Sequence, residues 1–285
     1  MPNIRSWLKY LGVFSFFWKL YRAPRARRYD MTFRALETAF FLPKDVRNVV
    51  VAHHYDLAYS NIFSRIMQFL AFKSLVWQKE RVDILIVVSE YWKAYFEQFG
   101  FTRIEVVYNA FDIERYRRTP EEVARFRHRY GLEKKPVIYI GNPQKKKGTD
   151  AVYEKLVSCD VHLVTSGVKS LDIDTVHLEL SHDDYITLLC ASDLVVLNSL
   201  FCEGWNRVAH EALLCRTPVI GTRNGGMKEL LEGAKQKPLE IETLSATVDA
   251  VMASREHYAE AGYAFASQFT MARFCHRTKE ILCAE

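Results

Sequence analysis

Short, mainly apolar runs recur along the chain, closed by polar or turn-forming residues. They are Val49–Ala52, Ile84–Val88, Ile104–Val107, Val137–Ile140, Val161–Thr165, Val176–Leu180, Leu194–Leu197 and Pro218–Gly221. All read as strands, and those apolar at every position (Val49–Ala52, Ile84–Val88 and Leu194–Leu197) predict strands buried on both faces, as in a parallel sheet. Tyr29–Phe33 is a further candidate strand, and Arg34–Leu42 reads as a short helix or loop. Between the runs lie segments with helical periodicity: Leu57–Val76, Glu90–Phe99 (stopped by Gly100), Thr149–Val157, His182–Cys190 and Asn206–Cys215. Thr119–His128 predicts a charged helix, with Pro120 suited to its first turn. Beyond Glu229 the pattern is helical over Leu244–Ala253, Arg255–Gln268 and Met271–Cys283. Strand and helix in alternation predict an α/β fold with parallel sheets.

Candidate chemistry concentrates where two of these units turn over. Asn198 and Ser199 end one strand, Glu203 and Gly204 lie in the following loop, and Asn206 is placed to cap a helix that carries Glu211. In open α/β sheets ligands bind beyond the C-terminal ends of the strands. A helix N-terminus there offers amides and a positive dipole end to an anion. Two carboxylates beside such amides suit a phosphorylated, hydroxyl-rich ligand such as a nucleotide sugar; the plainer reading is two acids on a solvated helix. The turn Gly141-Asn-Pro-Gln-Lys-Lys-Lys-Gly148 has the same standing, as an anion site or as a solvated basic turn.

Composition narrows the class. The 285 residues are 49% hydrophobic and 26% charged, which predicts a globular chain with room for one large or two modest domains. A net charge of +5 is too small to mark a nucleic-acid binder. The charge is uneven, with ten basic against three acidic residues in the first 48. Residues 4–21 are apolar and aromatic, shorter than a spanning helix requires and without a small-residue cleavage site. With Arg22, Arg25, Arg27 and Arg28 behind them, residues 4–28 read either as a helix lying on an anionic membrane surface or as one packing its aromatics onto the domain. Six cysteines without Cys-x-x-Cys spacing read as reduced thiols of a cytoplasmic protein, and no Cys/His cluster suggests a metal site.

Glu203 and Glu211 form an E-x7-E motif within Glu-Gly-Trp, Glu-Ala-Leu, Thr-Pro-Val-Ile-Gly and Asn-Gly-Gly-x-x-Glu. In this order the block resembles the retaining GT-B glycosyltransferases of family 4. A His-containing loop after Val49–Ala52, Val-Val-Ser-Glu at 87–90, and Asn-Ala-Phe-Asp at 109–112 followed by Tyr116 resemble the family's landmarks as well. The resemblance implies two Rossmann-like domains whose parallel sheets face each other across a cleft. It divides the chain into an acceptor-side domain (1–120), a nucleotide-sugar domain (121–270) and a terminal helix (271–285) crossing back to the first domain. It implies a retaining, metal-independent transfer from a nucleoside diphosphate sugar, UDP- or GDP-linked, to a hydroxyl of a glycan, lipid or protein, without a cofactor.

By the same resemblance Glu203 holds sugar hydroxyls, Glu211 accepts from the ribose, and His54 or its neighbour His53 meets the transferred sugar. Gly141, Asn142, Lys147, Gly148, Gly204, Trp205, Asn206, Gly225 and Gly226 line the donor site, with Glu229 beside it. Two features depart from the pattern: Asn142 stands where the family carries an arginine, and the N-terminal domain is shortened at its front. These departures leave a non-catalytic GT-B-like subunit as one alternative; a nucleic-acid-modifying transferase is another, although nucleic acid is the less expected partner.

Overall fold

The computed structural model describes residues 12, 15–22, 29–57 and 62–283. The chain divides into two compact units, the second beginning at Tyr108.

The first unit is a parallel sheet of four strands in sequential order: β1 (Met31–Ala35), β2 (Arg47–Ala52), β3 (Ile84–Val87) and β4 (Ile104–Val106). All four residues of β3 are buried, as an uninterrupted Ile-Leu-Ile-Val run requires. Strand β1 starts two residues beyond the expected Tyr29. Asn48 fixes the sheet's entry. Its Nδ2 donates to the carbonyls of Pro43 (2.9 Å), Val46 (3.0 Å) and Arg81 (2.9 Å), while its Oδ1 accepts from the Thr32 hydroxyl (2.6 Å). A buried amide with this many partners costs little and specifies the register. Residues 15–22 form helix α1, followed later by α2 (Ile62–Trp77) and α3 (Glu90–Glu97). Trp92 and Phe96 of α3 are fully buried, and the Phe72 ring of α2 packs against that of Phe96 at 6.2 Å.

The second unit carries six parallel strands in the order β10-β9-β8-β5-β6-β7. They are β5 (Val137–Tyr139), β6 (His162–Ser166), β7 (Val176–Leu178), β8 (Leu194–Leu197), β9 (Val219–Gly221) and β10 (Lys237–Pro238). The chain builds outward from β5 through β6 to β7, then returns to the other side of β5 as β8. The order therefore reverses between β5 and β8, the place where open sheets form a ligand crevice.

The helices are α4 (Pro120–Arg129), α5 (Thr149–Leu156), α6 (His182–Ala191), α7 (Arg207–Leu214), α8 (Gly226–Gly233), α9 (Leu244–Ala253), α10 (Arg255–Ala266) and α11 (Met271–Cys283). Local chemistry sets several starts. Thr119 and Glu122 form a capping box ahead of Pro120, Ser181 caps α6, and Asn206 caps α7 through Ala209 N–H at 2.9 Å. Asp193 ties β8 to its neighbours, accepting from Val137 N–H (2.8 Å) and the Arg127 guanidinium (2.9 Å).

The segment 109–116, read from sequence with the first domain, folds with the second unit. Phe111 pairs with Thr270, takes a backbone bond from its N–H to the Phe269 carbonyl (2.9 Å), and stacks on His210 with centroids 4.0 Å apart.

Candidate functional site

The site sits at the C-terminal ends of β5, β8 and β9. After β5 the chain turns through Gly141 and Asn142 into a single 3-10 turn, Lys145–Lys147, and then α5. Gly148 joins the two with φ +56°; a Cβ there would lie 2.5 Å from the Asn198 carbonyl oxygen, so the turn closes directly on the end of β8. Asn198 answers with a bond from Nδ2 to the Gly148 carbonyl at 3.0 Å.

That close approach brings Lys147 and Glu203 together from positions 56 residues apart. The ammonium lies 2.8 Å from Glu203 Oε1 and 4.4 Å from the Phe201 ring centroid. The same oxygen accepts from the Ser199 hydroxyl (2.5 Å) and Asn206 Nδ2 (3.2 Å). The Glu203 side chain is only 13% exposed, and these donors hold its charge. Its backbone is fixed too. Glu203 bridges Gly225 across the strand ends, and its carbonyl accepts from Gly226 N–H at 2.9 Å. Gly204 and Asn206 are buried beside it. Asn142 is part-buried, its backbone carbonyl bonded to the Thr149 hydroxyl at 2.7 Å and its amide close against Gly167.

Glu211 is buried one helical turn into α7. Oε1 accepts from the Tyr116 hydroxyl (3.3 Å) and Arg207 (3.2 Å), and Oε2 from the Tyr185 hydroxyl (3.3 Å). Burial, reinforced by the Glu211 charge, holds both phenols well above the ordinary tyrosine range, so they stay protonated and donate. Tyr139 stands next to this group with its pKa pushed up to about 12 by burial, its hydroxyl 2.8 Å from that of Ser166. From sequence Tyr116 is a landmark only, and Tyr185 is one position of a helix. A tyrosine in each of two amphipathic segments is the one signal that could have suggested a polar end turned inward.

Trp205 faces the core, not an open pocket. It is 4% exposed, and its indole N–H donates to His210 Nδ1 at 3.0 Å. An indole can only donate, so His210 carries its proton on Nε2 and donates to the Ala266 carbonyl at 3.1 Å. Desolvation holds His210 far below the ordinary imidazole value, at about 3. His210 thus locks the base of α7 to the end of α10, a role not expected from sequence. Glu229 accepts from the Tyr108 hydroxyl, and the Tyr108 ring packs on Trp205 at 4.9 Å.

In the first unit His53 and His54 follow β2 directly. Desolvation lowers the pKa of His53, Glu37 opposes that shift and His54 adds to it; the side chain is nevertheless exposed, so solvent screening reduces the lowering. Among the described residues no group of three or more metal-ligating side chains converges.

Residues 2–115 match the model described as Glycosyltransferase Family 4, and residues 121–267, more than half the chain, match that described as Glycosyl transferases group 1. A Bacillus anthracis N-acetyl-alpha-D-glucosaminyl L-malate synthase is 32% identical over 147 residues, covering 45% of this chain and 38% of its own length. The match thus spans well under half of that relative. Among solved structures, Anabaena HepE in complex with UDP-glucose superposes with a TM-score of 0.75 at 21% identity, over 93% of this chain and 81% of that one. Sucrose-phosphate synthase of Thermosynechococcus elongatus gives 0.73 at 14% identity over 93% and 75%. WaaG, a glycosyltransferase involved in lipopolysaccharide biosynthesis, gives 0.67 at 14% identity over 84% and 78%.

Proposed function

The chain belongs to the glycosyl transferases group 1 family and has the GT-B fold, and from that premise we propose that it moves a glycosyl unit from a nucleoside diphosphate sugar to an acceptor hydroxyl with retention of configuration. The observation that carries this reading is the Lys147–Glu203 pair, 2.8 Å apart where the strand order reverses. One cation and one carboxylate at that crevice match the two ends of such a donor. The ammonium suits the diphosphate, and the carboxylate suits hydroxyls of the sugar.

In the reaction the bond from the anomeric carbon to the diphosphate oxygen breaks, one to the acceptor oxygen forms on the same face, and the acceptor's hydroxyl proton passes to the departing diphosphate. Negative charge grows on the departing diphosphate, and stabilising it is the main electrostatic task. Lys147, together with the amides around Gly204 and Asn206 at the start of α7, carries that charge in this proposal, without a metal. Arrival of the diphosphate exchanges one anionic partner of Lys147 for another and releases Glu203 Oε1 to the sugar. Gly141, Gly148, Gly225 and Gly226 let the backbone approach the donor. Glu211 accepts from the ribose hydroxyls, held by Tyr116 and Tyr185. His54 or His53 contacts the transferred sugar. HepE is bound to UDP-glucose, which favours a UDP-sugar here, with a GDP-sugar second. A glycan, lipid or protein hydroxyl is the acceptor.

A second reading, a GT-B-like subunit without transfer activity, is favoured by Asn142 alone. A neutral amide supplies no charged, bidentate contact to a phosphate. A thermal-shift series with UDP, GDP, ADP, dTDP and CMP separates the two. A diphosphate at about 100 times its Kd should stabilise the chain by about 2.7 kcal/mol. Glu211→Ala should weaken that ligand by about 1–3 kcal/mol. A shift with UDP or GDP that Glu211→Ala diminishes supports transfer. No shift with any nucleotide, and no turnover of UDP- or GDP-sugars, overturns it.

A further inference from the structure

Helix α2 is apolar on both sides. Inward, Ala71, Phe72 and Leu75 are buried. Outward, at helical spacing, Ile62, Phe63, Ile66, Phe69, Leu70 and Trp77 are exposed, Trp77 at 82% and Ile62 at 69%. The sequence of α2 contains no acidic residue; its charges are Arg65 and Lys73, both exposed, with the Lys73 ammonium 5.6 Å from the exposed Phe69 ring centroid. Helix α1 repeats the arrangement. Phe16, Trp18 and Tyr21 are exposed beside Lys19 and Arg22, and the Arg22 guanidinium lies 5.7 Å from the Trp18 ring. Both helices lean on the segment that follows β1: Phe17 packs on Phe40 at 4.9 Å, and the Ser74 hydroxyl reaches the Ala39 carbonyl at 3.5 Å. An apolar recess of about 530 Å³ opens beside α1, lined by Phe16, Leu20, Met31 and Phe33 with Lys19 and Arg34.

We propose that the outward faces of α1 and α2 seat the first unit on the anionic surface of a lipid bilayer. Large apolar side chains interleaved with cations, and no acid on either helix, are what an interfacial helix needs; lysine and arginine reach the headgroups while the aromatic rings sink beneath them. At 16 residues α2 is about 24 Å long, too short to cross, and no described helix is long and apolar enough to do so. A second copy is the poorer occupant. A two-fold contact would set the same cations against one another with no acid to answer them.

The test is flotation of the full chain with vesicles of phosphatidylcholine alone or mixed with phosphatidylglycerol. The chain should float only with the mixed vesicles. Arg65→Gln/Lys73→Gln should lower the partition about thirtyfold, since each cation near an anionic surface contributes about a kilocalorie per mole. Ile66→Asp/Leu70→Asp should abolish flotation, and on binding the Trp77 emission should shift blue, a change lost in Trp77→Phe. All these side chains are exposed, so the melting temperature and any nucleotide-induced shift should be unchanged. That keeps a failure here apart from a failure of the donor site. Absence of flotation overturns the proposal, as does equal flotation of the variants. Dimeric chains that Ile66→Asp/Leu70→Asp separates, without flotation, would make the face a self-interface instead.

Discussion

Helix α7 of the second unit buries six consecutive residues, Ala209–Leu214, including a histidine and a glutamate, whereas α2 of the first leaves six large apolar side chains in the open. Both helices flank parallel sheets of similar strands. The difference lies in what each is held to do. Around α7 every buried polar atom named above is bonded, so Glu203 and Glu211 are fixed by neighbours that are themselves fixed, which is the condition for a preorganised site. The outer face of α2 takes no part in its unit's core.

The comparison breaks hardest at Gly225. Its φ is +65°, and a Cβ would stand 2.2 Å from the Glu203 carbonyl oxygen and 2.8 Å from its nitrogen. Neither atom is the end of a flexible side chain, so the loop itself must move. Gly225→Ala should cost about 3 kcal/mol of stability through backbone strain and displace Glu203 from Lys147. Denaturant unfolding measures the first, and nucleotide affinity measures the second. Unfolding within error of the parent chain would show that the second unit is softer than its packing implies.

The second effect is pH-dependent. His210 is neutral in the fold, with its pKa depressed from 6.5 to about 3 by desolvation. The unfolded chain takes up a proton below pH 6.5 that the folded chain refuses. Stability from this group is therefore complete above about 6.5 and lost as pH falls towards 3, amounting to about 2 kcal/mol by pH 5. His210→Gln keeps an acceptor for the Trp205 indole and should flatten that slope. An unchanged slope would assign acid sensitivity to other groups.

How much of this could be read from the chain follows from the range of each interaction. The strands were legible because Ile84–Val87 and Leu194–Leu197 are apolar at every position, and the α7 cap because Asn206 acts three residues away. The fold class follows from that alternation. The Lys147–Glu203 contact was not legible, since it depends on β8 lying beside β5, an order that no local pattern encodes. Tyr116 and Tyr185 reach Glu211 across 95 and 26 residues, so their hydroxyls gave no sequence signal of a shared target. Trp205 stood within the recognised block, yet its indole turns inward to His210. Residues 23–28, which carry Arg25, Arg27 and Arg28 of the expected basic cluster, lie outside the described residues; the outward face of α2 emerged only from its exposure.

The smallest expected effect is the sharpest check on the contrast. Ile66 is half exposed on the outer side of α2 and absent from the buried core. Ile66→Ser should therefore change stability by no more than about 0.5 kcal/mol, as surface substitutions ordinarily do. A core position such as Leu75, fully buried on the same helix, should lose about 2–5 kcal/mol on truncation to alanine. If Ile66→Ser in the isolated chain instead cost a core-like amount, the side chain would have to be covered in solution by the protein itself. The two helices would then differ in partner and not in exposure. A near-zero cost leaves Ile66, on the outward face of α2, without a role in the fold, and the use of that face must then be sought in what the first unit touches.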